Sequence, residues 1–275
     1  DAATRDAYGE TLLEMGENPN IVVLDSGVSD STRTKKFGQK FPDRFFNMGI
    51  AEADMVCTAA GLATTGKIPF ATSFACFLLG RTMDQILVSV AYSNTNVKLV
   101  GTHCGIAVGE DGPSAQMIVD LAYTRAIPNM TVVQPADWEE TVQATKALTK
   151  YYGPVYFRLG RPKVKAIFDT SYQFELGKGK LIEQGSDLII FATGSMVQES
   201  LVAMEFLRKE KINISLVNIS TIKPIDRDII IEQAKKHNAI ITAEDHNIFG
   251  GLGDAVGEVL LDNQIAVPFT RIAVK

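Results

Sequence analysis

Along the first 160 residues, short β-branched and aromatic runs alternate with longer stretches whose apolar positions recur every three to four residues. This is the pattern of a parallel sheet covered by helices. The runs NIVVLD (20–25), IPFATS (68–73), NVKLVGT (96–102), NMTVVQP (129–135) and GPVYFRL (153–159) predict strands. Residues 4–15, 51–64, 77–92, 114–122 and 137–150 predict helices, the last opened by Asp137 as N-cap with Glu140 three residues on. From Arg161 to Gly185 the periodicity fades into a stretch with the composition of a surface connection. DLIIFAT (187–193), NISLVNI (213–219) and AIITAED (239–245) then alternate with helical segments at 195–209 and 227–237, and a glycine-punctuated helix starts near Gly251. The expected fold class is α/β, with two successive domains, each a largely parallel sheet covered by helices. They span residues 1–162 and 184–275, with 163–183 as linker.

A length of 275 residues with 46% hydrophobic content suits two medium cores. The net charge of -5 argues against nucleic acid or an acidic membrane surface as partner. No apolar run approaches the roughly 18 residues of a membrane span, and the N-terminus lacks a hydrophobic signal core, so a soluble, cytoplasmic protein is expected. The chain begins without Met and ends on the strand-like TRIAVK, so its natural ends are expected to lie outside it. Cys57, Cys76 and Cys104 have no CxxC or Cys/His spacing and read as small reduced thiols, with no metal site among them.

Candidate chemistry concentrates in three places. In FPDRFFNMGIAEADM (41–55), Glu52 sits where an apolar run meets the first turn of a small-residue helix. A glutamate there either complements the helix dipole or is held for proton work. Phe74 and Phe77 in SFACF either pack the core or offer an aromatic face to a flat ring. The glycine-rich loop GTHCGIAVGEDGPSAQM (101–117) follows a strand and carries His103, Glu110 and Asp111, in the position where open parallel sheets bind ligands. Taken alone, His103 reads equally as a structural histidine. GEDG is not followed by GKS or GKT, and GLGDAVG (251–257) lacks the GxGxxG spacing, which disfavours nucleotide phosphate and nicotinamide sites.

In this order and spacing, FPDRFFNMGIAEADM, SFACFLLGRTMDQI, THCGIAVGEDGPS and YFRLGRP resemble the pyrimidine-binding domain of transketolase, and the tail resembles its C-terminal domain. The family's N-terminal, diphosphate-binding domain has no counterpart here, so the chain resembles the C-terminal subunit of a split transketolase. The resemblance implies thiamine diphosphate as cofactor, Mg²⁺ or Ca²⁺ held by an N-terminal partner subunit, and an α2β2 heterotetramer. The implied reaction, within carbohydrate metabolism, moves a two-carbon ketol unit from a ketose, a sugar or sugar phosphate, to an aldose. Glu52 matches the family's glutamate that hydrogen-bonds N1′ of the aminopyrimidine, and with His103 it makes up the implied catalytic pair. Phe74 and Phe77 match aromatics that pack on the pyrimidine, Phe77 as stacking partner. Arg5, Ser31, His103 and Arg158 match a phosphate-recognising set, and Asp111 matches a carboxylate that reads a substrate hydroxyl.

Three positions depart from the family pattern. Ala115 stands where members carry His or Gln, with Gln116 beside it as a substitute. Gly80 replaces a third ring, and Gly27 an acidic residue. FPDRFF and IAE also resemble deoxyxylulose-phosphate synthase, and the domain order resembles the β subunit of 2-oxo-acid dehydrogenases. A reading of another class is a noncatalytic regulatory partner that keeps the fold and interface.

Overall fold

The computed structural model describes all 275 residues. The β-branched runs of the first half form a sheet in spatial order Thr221–Lys223, Thr131–Val133, Val155–Arg158, Lys98–Thr102, Ile68–Phe74, Ile21–Asp25, Phe45–Asn47. All pairings are parallel except that of Thr221–Lys223, a strand contributed from the second half of the chain. Side-chain alternation divides these buried strands between two cores. Val22, Leu24, Leu99 and Tyr156 enter one cluster, while Ile21, Val23, Val100, Val155 and Phe157 enter the other. Both faces are covered, which is why these runs read as continuous apolar segments.

The second sheet has the order Phe269–Val274, Ile240–Asn247, Leu188–Ala192, Ile214–Asn218, Lys180–Glu183, parallel but for the last strand. The expected linker of 163–183 is therefore partly built into the fold. Lys163–Val164 pairs with Ala2–Ala3, and Lys180–Glu183 supplies an edge strand. No helix is long and apolar enough to cross a membrane.

The strongly periodic helices form as expected at Thr4–Met15, Glu52–Thr64 and Trp138–Lys150. The segment expected as one helix over 77–92 instead breaks into Ala75–Gly80, Met83–Gln85 and a π-wound turn at Ile86–Tyr92. Gly80 weakens the helix there, and the Thr82 hydroxyl bonds back to the Leu78 carbonyl. The helix expected over 114–122 starts later, at Asp120–Ala126, because Met117 is held in an extended bridge to Gly105. Phe45–Asn47 is too short for its period to show.

Ile21–Asp25 lies between Phe45–Asn47 and Ile68–Phe74, so the winding direction reverses at that strand. A crevice at the carboxyl ends of such strands is the usual ligand position in open α/β sheets. Residues 26–31, Phe74 and His103 leave their strands there.

Candidate active site

Glu52 is the first residue of its helix and only 4% exposed. The turn before it depends on Gly49, at φ +65°, and on the Ala51 N–H bonding the Gly49 carbonyl at 2.9 Å. Arg81 donates through Nη1 to both Glu52 oxygens, at 3.1 and 3.0 Å. The same guanidinium lies 4.5 Å from the centre of the partly exposed Phe77 ring. Arg81 thus makes, at one carboxylate and one ring face, the two contacts a flat protonated heterocycle would make. Its side chain is 47% exposed, while the carboxylate it covers is 4% exposed. Arg81 was missed from the sequence, although a spacing of four from Phe77 was a usable signal.

His103 is buried and adopts φ +58°, a left-handed conformation at the first turn of the loop. Its ring stacks on Phe74 with centroids 3.7 Å apart, and Phe74 stacks on Phe77 at 5.5 Å. Arg5 Nη1 donates to His103 Nε2 at 2.9 Å and to the Ser31 carbonyl at 3.0 Å. Arginine can only donate, so Nε2 is the acceptor and the proton sits on Nδ1, which donates to Thr102 Oγ1 at 2.9 Å. Burial, with the positive charge of Arg5, pushes the imidazole down to about 3. A neutral, almost fully covered His103 therefore lies behind Arg5, whose Nε is buried and unpartnered. Asp25 builds the floor, accepting from the Val28 N–H at 2.7 Å and from Thr32 and Thr34 hydroxyls at 2.6 and 2.9 Å, which folds the 26–34 loop toward Arg5.

Two expected roles need correction. Phe74 is 7% exposed and already stacked by both His103 and Phe77, so it backs the site while Phe77 carries the accessible face. Arg158 does not reach the crevice. It is 2% exposed and held by Asp120 through Nε at 2.6 Å and Nη2 at 3.1 Å, because strand alternation turns it inward with Tyr156. The partly exposed arginine is Arg161, three residues on and past Gly160, where it pairs with Glu110. Its Nη1 donates to the Val108 carbonyl at 2.6 Å, its Nε lies 3.9 Å from Asp111, and its charge acts on His103. Strand parity in YFRLGR was the signal, since only Arg161 lies beyond the buried run. Arg5, the Ser31 backbone, His103, Asp111 and Arg161 come together; Arg158 does not. Ala115 packs with Val108 against Phe74, and Gln116 bonds the Ile106 carbonyl at 2.9 Å instead of facing the site.

A cleft of about 520 Å³ opens beside the Thr4–Met15 helix, but Lys35, Lys36 and Trp138 line it and neither Glu52, Phe77 nor His103 does. The surface around Glu52 and Phe77 is instead open on one side. The Glu52 helix and the Ile86–Tyr92 turn present Cys57, Leu87, Val88 and Tyr92 outward, and Ile50 beside Glu52 is 85% exposed. A buried carboxylate, a partly exposed ring and an apolar rim thus lie side by side on one open face.

The family assignment is specific. The description "Transketolase, pyrimidine binding domain" matches residues 1–166, and "Transketolase, C-terminal domain" matches 177–275. A putative transketolase C-terminal section from Methanocaldococcus jannaschii is 48% identical over 98% of this chain and 85% of its own length. A 6-deoxy-6-sulfo-D-fructose transketolase subunit from Clostridium sp. is 40% identical, covering 98% of this chain and 84% of that one. A solved split-gene transketolase, described as an inactive beta4 tetramer, superposes with TM-score 0.92 at 45% identity over 100% of this chain and 90% of that chain. The chain belongs to the transketolase family, as a C-terminal subunit with two parallel-rich domains flanked by helices.

Proposed function

We propose that this chain is the C-terminal subunit of a thiamine diphosphate-dependent transketolase, active with a separate diphosphate-binding subunit. It would transfer a two-carbon ketol unit from a ketose, as the sugar or its phosphate, to an aldose. The observation that carries this reading is the buried Glu52 carboxylate beside the accessible face of Phe77, in a transketolase-family chain. These residues fit an aminopyrimidine: a carboxyl for a ring nitrogen, an aromatic face for the ring plane, and open backbone at Gly49 and Gly80, where an added Cβ would meet no heavy atom within 4 Å. Bound there, the cofactor would supply the electron sink that protein side chains lack.

The chain's own residues divide the remaining work. Glu52 holds or gives a proton at the ring nitrogen, once Arg81 swings away from both its oxygens and from Phe77. Phe77 sets the ring plane, and Phe74 backs it. His103, neutral and with Nε2 the acceptor, would meet a hydroxyl or a proton beside the reacting carbonyl once Arg5 turns from Nε2 toward the substrate. Arg5 and Arg161 give the crevice mouth the positive charge and planar donor geometry that suit a phosphate or sulfonate, and Asp111 an acceptor for a hydroxyl. Subunit names among the relatives, together with the exposed apolar rim around Ile50 and Tyr92, support assembly with a partner, as an α2β2 heterotetramer with the partner holding Mg²⁺ or Ca²⁺.

The test mixes the chain with its diphosphate-binding partner, thiamine diphosphate, Mg²⁺, a ketose phosphate donor and an aldose phosphate acceptor. Transfer is expected from the mixture and not from either subunit alone. Use of pyruvate as donor in place of every ketose would move the assignment to the synthase-like alternative, and no turnover with any donor to a regulatory subunit. Glu52→Gln should preserve fold and assembly while slowing transfer by about 10²–10⁴-fold, the usual worth of a positioned proton donor. Near-normal turnover in that variant would remove Glu52 from the chemistry.

A further inference from the structure

We infer that Asp245, in the C-terminal domain, is a positioning residue for the substrate loop 103–117, so that the second domain sets the geometry of a site built almost wholly by the first. The inference rests on the ketol-transfer reading for its kinetic arm alone. Asp245 lies in the strand Ile240–Asn247, and its Oδ1 accepts from the Ile106 N–H at 3.1 Å, three residues from His103. Gly105 makes this approach possible. It adopts φ +79°, and a Cβ there would stand 1.8 Å from Asp245 Oδ2, so only glycine lets the carboxylate reach the next amide.

The same strand grips the other end of the loop. The Gly105 N–H bonds the Met117 carbonyl at 2.8 Å and closes the loop's base. Arg158 Nη2 donates to the Met117 carbonyl at 3.3 Å and to the Asp245 carbonyl at 2.9 Å, joining loop base and second-domain strand through one guanidinium. The Asn247 N–H bonds the Ile118 carbonyl at 2.8 Å. Between these anchors, Val108 and Ala115 pack on Phe74, and Asp111 lies 3.9 Å from Arg161 Nε. Residues 106, 107, 109 and 110 are exposed, and the loop's other polar restraints, Arg161 on the Val108 carbonyl and on Glu110, and Gln116 on the Ile106 carbonyl, come from the first domain's own chain, which leaves Asp245 as the second domain's side-chain hold on it. A charged acceptor on a peptide N–H is among the stronger single restraints available to it.

Two measurements test this. In hydrogen–deuterium exchange on the free chain, Asp245→Ala should raise uptake across 103–117 several-fold, leave the Lys98–Thr102 and Val155–Arg158 strands unchanged, and be reversed by Asp245→Asn, which keeps an acceptor oxygen. In the complex reconstituted with the partner subunit, assayed with a ketopentose 5-phosphate donor, Asp245→Ala should raise the donor KM by about tenfold, the size of one lost charge-assisted hydrogen bond. The same variant should change kcat and thiamine diphosphate affinity by no more than about twofold, and Asp245→Asn should restore KM. Unchanged loop exchange in Asp245→Ala, an unchanged donor KM, or equal losses of cofactor affinity and overall stability would each overturn the inference. A wild-type complex that transfers nothing would sink the proposed function alone, and the exchange result would then decide the loop anchor by itself.

Discussion

His103 illustrates how neighbours assign a histidine its role. Phe74 takes one ring face, Thr102 fixes the proton on Nδ1, and Arg5 claims Nε2, so the ring presents a fixed tautomer and no charge. His246 in the second domain reaches the same neutrality by burial, which pushes it down to about 4. Both fall from an ordinary value near 6.5, so the unfolded chain binds more protons than the folded one below that pH. Their contribution to stability is complete above about 6.5 and is lost as pH falls through about 4 and about 3. Glu244, raised to about 7 by burial, acts in the opposite sense, its contribution fading as pH rises through that value. With only three histidines in the chain, ring-proton NMR can follow each. His103 and His246 should not titrate between pH 8 and 5, and a midpoint near 6.5 for either would contradict the described environment.

At the scale of elements, one cap does more than start its helix. Asp137 caps the Trp138–Lys150 helix by accepting from the Glu140 N–H at 2.9 Å, and its second oxygen accepts from the Ile167 and Phe168 N–H groups at 2.7 Å each. One carboxylate thus starts a helix and pins the interdomain connection. Glu140 returns the favour by accepting from the Ala136 N–H at 2.7 Å and from Asn218 of the second sheet at 2.8 Å. Asp137→Ala should destabilise the fold by about 2–4 kcal/mol, more than a surface cap would, because three buried or half-buried amides lose their acceptor. Urea unfolding measures it, and a loss under about 1 kcal/mol would show that water replaces the carboxylate.

Across the whole molecule, the two domains are interlocked. Thr221–Lys223 completes the first sheet, Asp245 reaches the first domain's loop, and the Arg158–Asp120 pair lies at the seam with both side chains almost fully buried. Tyr156 donates to Asp120 at 2.7 Å, and the His246 ring accepts from the Ala122 N–H at 3.3 Å, so the pair is embedded in satisfied polar groups. Arg158→Met strands the buried Asp120 and should cost about 3–5 kcal/mol, whereas replacing both partners with apolar residues should cost much less. A single cooperative urea transition is expected for the parent chain. Equal losses in single and double variants would mean that the pair contributes through packing alone.

The long periodic helices and buried parallel strands were legible because a 3.6 or 2.0 period repeats enough times within them to be unmistakable, and the motifs singled out Glu52, Phe77, His103 and Asp111 as candidates, of which Phe77 and His103 stack on the same Phe74 ring. The short pieces were not legible. Phe45–Asn47 has too few residues to show a period, and Thr221–Lys223 is a strand only because another domain's sheet offers it an edge. Arg158 and Arg161 have the same composition and sit three residues apart, so their roles separate only when strand parity meets the Asp120 carboxylate. Local order along the chain determined which elements form and which chemistry is present. Contacts between residues far apart in sequence, Arg81 with Glu52, Arg158 with Asp120 and Asp245 with Ile106, were decided by the tertiary structure alone, because burial and pairing of charge depend on what the rest of the fold brings alongside.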